Sequence, residues 1–180
     1  MNKPENPKPR MRVFYGADAE EIPDDMMPME GIDDTVMNAL TRLAESGVTE
    51  GVGERNRVLF RESGEQGMSL VHVWFKSGYV LPFHSHSTDC LYYVIAGELR
   101  MGSHVLRKGD GMFIPADRGY GYEAGPDGVE LLEFRNATRF NFLFGANPPE
   151  RWEKIGEVYQ EREAIWREET VPPSDRNNPV

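Results

Sequence analysis

Between Arg57 and Phe144 the chain breaks into short apolar runs, each stopped by Gly, Pro, Asp or Ser. Such runs are too short for helices that bury a face, and turn-forming residues at nearly every boundary suit strands that keep reversing direction. The pattern predicts strands near 57–61, 68–76, 80–86, 91–95, 98–106, 111–115, 119–124, 129–135 and 140–144. Strands of this number and length form an all-β barrel or sandwich.

The flanks read differently. Asp33 to Ser46 opens on acidic residues, carries Val36, Leu40 and Leu43 at helical spacing, and meets Gly47 as a stop, which predicts one amphipathic helix. Its apolar face must pack on the barrel or on a second subunit. Pro149 to Glu169 begins with proline and spaces Trp152, Ile155, Tyr159 and Trp166 among charges, as a helix laid over the barrel does. The expected organisation is an N-terminal extension over 1–56, one barrel over 57–148, and a C-terminal helix and tail over 149–180. Residues 1–10, with three prolines and four charges, are expected to be disordered, and the tail from Pro172 to be frayed.

Thirty acidic against twenty basic residues give a net charge of −10, which repels nucleic-acid phosphates and anionic lipid. The polar, proline-rich start resembles neither a signal peptide nor a membrane span, and the single cysteine cannot close an internal disulfide. A cytoplasmic protein acting on a small molecule is the expectation. Apolar faces on both extensions lead us to expect a homodimer.

Half of the four histidines stand one residue apart, in Gly78-Tyr-Val-Leu-Pro-Phe-His84-Ser-His86-Ser-Thr-Asp-Cys90-Leu-Tyr-Tyr-Val-Ile-Ala-Gly97. Residues i and i+2 of a strand share a face, so both imidazoles can converge on one ion or substrate. Neutral imidazole is the commonest protein ligand for Zn, Fe, Ni and Cu. The ordinary alternative is a pair of hydrogen-bonded core or surface histidines.

The spacing of this segment resembles the first motif of the cupins, small β-barrels that often hold a metal. Gly109-Asp-Gly-Met-Phe-Ile-Pro115-Ala-Asp117-Arg-Gly-Tyr120-Gly-Tyr-Glu-Ala124 resembles the second, with Gly109 and Pro115 in place. The resemblance implies an all-β, cupin-type double-stranded β-helix, a jelly-roll barrel here given helical N- and C-terminal extensions. It also implies one divalent transition metal (Fe, Zn, Ni or Mn). The departures fall on the metal ligands: Cys90 stands for the usual Glu and Tyr120 for the usual His, while Asp117 and Ala124 replace Gly and Asn. Cysteine at this place is similar to the mammalian type of thiol dioxygenase, whose equivalent cysteine is cross-linked to a tyrosine near the iron, although those enzymes have three histidine ligands.

The candidate metal ligands are therefore His84, His86 and, as a third nitrogen, His72, since His104 follows a turn and is expected in water. Cys90 is a candidate catalytic group, soft ligand or buried wall. Tyr120 is a phenolate ligand, a proton donor or acceptor, or a wall that hydrogen-bonds the substrate. Tyr92, Phe113, Tyr122 and Trp74 are the candidate substrate-binding lining, and Glu133 is a further carboxylate if Leu132 and Phe134 do not take the inward face. Two functions compete: a metal-dependent enzyme, with dioxygenase-like oxidative chemistry first and lyase or isomerase chemistry next, and a non-catalytic ligand-binding or structural barrel with a degenerate metal site.

Overall fold

The structure, a computed structural model, describes residues 10–49, 51–64 and 67–176. All but Arg10 of the segment expected to be disordered lies outside the described residues. The main sheet takes β1 (Glu20–Glu21), β3 (Glu54–Arg61), β4 (Ser69–Phe75), β9 (Glu123–Arg135), β6 (Cys90–Met101) and β7 (His104–Arg107) in that spatial order, and β8 (Gly111–Ile114) also pairs with β6. A smaller sheet runs β2 (Met29–Glu30), β10 (Phe142–Phe144), β5 (His84–Ser85), parallel between β2 and β10 and antiparallel between β10 and β5. The two sheets enclose one apolar core, making a jelly-roll β-barrel with helical extensions.

The strand expected at 98–106 is the end of β6 turned back as β7; the one expected at 129–135 is part of a longer β9 that begins at Glu123, while most of 119–124 lies outside any strand, Tyr120 making only an isolated bridge to His84. Against β9, the register of β6 slips between Val94 and Ala96 and again between Gly97 and Leu99. Gly97 makes the second slip possible. Its φ is +77°, and a Cβ there would lie 2.1 Å from the Gly128 carbonyl oxygen.

Alternation then assigns the faces. Val71, Val73 and Phe75 of β4, Cys90, Tyr92 and Val94 of β6, and Leu131, Glu133 and Arg135 of β9 are buried, while Leu91, Tyr93 and Phe134 between them are exposed.

Helix α1 (Asp34–Glu45) is capped by the Asp33 side chain, which accepts the Val36 backbone N–H at 2.9 Å. Its Val36, Leu40 and Leu43 pack against Val80 and against Trp152 and Ile155 of α2 (Pro149–Glu168), so the expected amphipathic face is covered within the chain. Trp166 of α2 is fully buried and donates to the Ser77 carbonyl at 2.8 Å. The described part of the tail, 172–176, is packed rather than frayed: Pro172 and Pro173 are buried, and the Ser174 N–H donates to Glu130 at 2.6 Å. Among the described residues no helix is long and apolar enough to cross a membrane.

Candidate functional site

His84 reaches the barrel interior because β5 is stitched on both sides. Its backbone N–H donates to the Tyr120 carbonyl at 2.9 Å and its carbonyl accepts the Tyr120 N–H at 2.8 Å, while β10 pairs on the other edge. The His86 carbonyl accepts the N–H of Asp117 at 2.7 Å. Asp117 has φ +60°, a left-handed conformation that aspartate tolerates better than most residues.

The two imidazoles are buried, with ring centroids 5.0 Å apart. Nδ1 of His84 faces the Pro82 carbonyl at 2.8 Å, and Nδ1 of His86 faces the Asn141 carbonyl. A carbonyl only accepts, so each Nδ1 carries the proton and each Nε2 keeps its lone pair. Burial pushes both histidines down to about 3. The neighbouring His86 adds to the effect on His84, and Arg135 adds to it on His86, so both rings are neutral near pH 7. Phe142 stacks on His84 at 4.2 Å and 7°, and Phe140 meets His86 edge-on at 5.5 Å.

Tyr120 lies with its ring 4.4 Å from His84 and its hydroxyl 2.7 Å from that of Tyr92. Burial, then the negative charge of Glu133, raises its pKa, so it is a neutral phenol and not a phenolate. Tyr122 stacks on Tyr120 at 6.2 Å. Cys90 faces inward as a buried free thiol, and burial pushes its pKa well above the ordinary thiol range, which leaves it a neutral wall residue of the pocket.

Three expected site residues stand elsewhere. His72 is on the outward face of β4, where its Nε2 bonds Glu130 at 3.0 Å under the C-terminal tail. Trp74 shares that face, with Arg55 over its ring at 4.9 Å. Phe113 is 62 % exposed on the outside of β8. It reaches only the rim of a cleft of about 530 Å³ that Met101, Met112, Arg118, Tyr120 and Arg151 also line. Tyr120 thus separates this cleft from His84.

The interior also holds a buried ion pair. Arg135 Nη1 donates to Glu133 at 2.5 Å, and its guanidinium lies 3.8 Å from the Phe140 ring centroid. Burial, the largest single influence, would lower the Arg135 pKa, but Glu133 together with Cys90, Tyr92 and Tyr120 raises it, so the cation stays charged. Glu133 was only a conditional candidate and Arg135 was missed. The signal was their i, i+2 spacing in phase with Leu131.

Among the described residues no group of three or more His, Cys, Asp or Glu side chains is placed to hold a metal ion. The two pinned imidazoles fit a metal as a two-nitrogen clamp, whose remaining positions small molecules would fill.

No family model and no curated protein matches the chain. Among solved structures it is similar to an RmlC-like cupin from Shewanella frigidimarina, at 25% identity over 51% of this chain and 82% of that one, with a TM-score of 0.44. KdgF from Halomonas sp. follows at 23% identity, 49% and 83% coverage and a TM-score of 0.42. Oxalate decarboxylase from Bacillus subtilis, which has Mn(II) centres, matches at 17% identity over 48% of this chain and 26% of that one, with a TM-score of 0.40. The fold is a cupin-type barrel, carried by this chain's own two-sheet strand order and by motif glycines Gly78, Gly97 and Gly109, all at positive φ.

Proposed function

We propose that the protein is a metal-dependent enzyme acting on a small organic molecule inside the barrel, with His84 and His86 as the protein ligands. The observation that carries this reading is the shared tautomer: both Nδ1–H groups are committed to carbonyls, leaving both Nε2 lone pairs available at one place. A divalent metal held there would polarise a substrate carbonyl or bring a substrate and dioxygen together. The chain's own groups orient and exclude. Phe140 and Phe142 wall the histidines from water, Tyr120 offers a neutral O–H beside His84, and Tyr92 fixes the direction of that O–H.

Oxidative cleavage is the leading reaction, because a two-residue ligand set leaves the most room for exogenous ligands. Lyase or isomerase chemistry is favoured by a specific feature, the Tyr92–Tyr120 hydroxyl pair, which can hold and return a proton to an enolisable substrate. Dioxygen uptake distinguishes the two. Elemental analysis of protein expressed with added Fe, Mn, Ni or Zn tests their common basis. Stoichiometric metal that is lost in His84→Ala is expected, whereas less than about a tenth of a metal per chain, unchanged by that substitution, favours a non-catalytic ligand-binding barrel.

We also propose that the chain pairs with a second copy through the outer face of the main sheet. Leu91, Tyr93, Phe113 and Phe134 sit side by side on β6, β8 and β9 and are 50%, 47%, 62% and 38% exposed. They present roughly 300–400 Å² of apolar surface, enough for the apolar centre of an interface burying about 800 Å² per partner. Light scattering at micromolar concentration should give a dimer.

A further inference from the structure

Arg135 has more hydrogen-bonding capacity than the barrel uses. Its side chain is fully buried, Nη1 is taken by Glu133, and Nε and Nη2 have no hydrogen-bond partner among the described residues. A buried guanidinium with idle donors is costly unless something accepts from them. The idle donors belong to the histidine site. The guanidinium stacks on Phe140, Phe140 packs on His86, and the charge of Arg135 acts on His84, His86, Cys90, Tyr92 and Tyr120.

The donor chemistry selects the ligand. Two unpartnered N–H groups on one buried guanidinium call for an acceptor, and an anionic acceptor makes the strongest, charge-assisted bonds to them. On the far side of Tyr120 a separate cleft is lined by Arg118 and Arg151, two cations on a protein whose net charge is −10. These cations favour anions near that side of the barrel.

We infer that the molecule taken into the barrel is a small carboxylate, with Arg135 as the residue that anchors its carboxyl group. This deepens the reading of the histidine site and rests on it for the location of the ligand, but the anchoring itself needs no metal. Two N–H donors on one side of a planar guanidinium match two carboxylate oxygens, a geometry that neither lysine nor an isolated hydroxyl reproduces.

The test is calorimetric titration of the full-length protein, as purified and after chelator treatment, with propionate, pyruvate and the uncharged match propionamide. The expected result is that the carboxylates bind about tenfold or more tightly than the amide in both preparations. His84→Ala keeps this preference, and the paired Glu133→Gln/Arg135→Met variant, which removes both charges together, abolishes it. If the variant does not fold, the comparison on chelator-treated wild type still decides. Equal binding of carboxylate and amide there, or binding of neither, overturns the inference. So does a carboxylate preference that disappears with the metal and with His84→Ala, which would assign the carboxylate to the metal alone. Loss of metal binding with the preference intact would instead remove the metal-enzyme reading and leave the anchor standing.

Discussion

The two faces of β9 carry opposite chemistry. Inward, Leu131 is followed by the charged pair Glu133 and Arg135; outward, Leu132 and Phe134 adjoin exposed Leu91, Tyr93 and Phe113 on the neighbouring strands. A sheet with one face in water ordinarily reads the other way, apolar inside and polar outside. Charge retained in the core is costly and apolar surface retained outside is unusual; the proposed ligand and the proposed second copy are what would offset each.

The contrast can be broken hardest from the inside. Arg135→Ala strands the Glu133 carboxylate in the core and should lower unfolding free energy by about 3–5 kcal/mol, measured by urea denaturation. A loss below about 1 kcal/mol would mean that the pair is hydrated and the inner face is not truly dry.

Acid should act next. The folded-state pKa of both His84 and His86 is depressed to about 3, so below about 6.5 the unfolded chain takes up protons that the folded chain refuses. Stability is then lost as pH falls from about 6.5 toward 3, by up to about 1.4 kcal/mol per pH unit for each histidine, and this source contributes nothing above that window. Denaturation of chelator-treated protein at pH 7, 6 and 5 measures the slope, and a flat profile would place both rings in contact with solvent.

Tyr120→Phe removes one buried hydrogen bond and should cost about 1 kcal/mol, with metal content unchanged and turnover reduced. Metal loss in this variant would make the phenol a ligand. The outer face should respond least in the protomer and most in assembly. Phe113→Asp is expected to change protomer stability by no more than about 0.5 kcal/mol while converting the proposed dimer to monomer in light scattering.

The barrel was legible because its constraints are local. Gly78, Gly97 and Gly109 mark backbone positions at positive φ, and Asp33 with Gly47 brackets α1 as a cap and a stop. The inward placement of candidate residues was legible where one short segment carries them, as with His84 and His86, or where a motif position places the residue, as with Cys90 and Tyr120. It was not legible where facing had to be chosen. On β4, Leu70, His72 and Trp74 as well as Val71, Val73 and Phe75 are apolar enough to be internal, so alternation alone does not say which set looks inward. The chain decides by laying its C-terminal tail over His72 and Glu130, a contact more than 40 residues distant in sequence from Glu130. Phe113 misled for the same reason, since an aromatic residue was expected inside, and Arg135 drew no expectation because cations are ordinarily exposed.

Cobalt(II) titration of chelator-treated protein, followed by visible absorption, addresses the histidine clamp most directly. One equivalent should saturate a ligand-field spectrum that is abolished in His84→Ala and in His86→Ala and unaltered in His72→Ala. A spectrum that survives both inner substitutions, or that depends on His72, would contradict a metal centre built on His84 and His86.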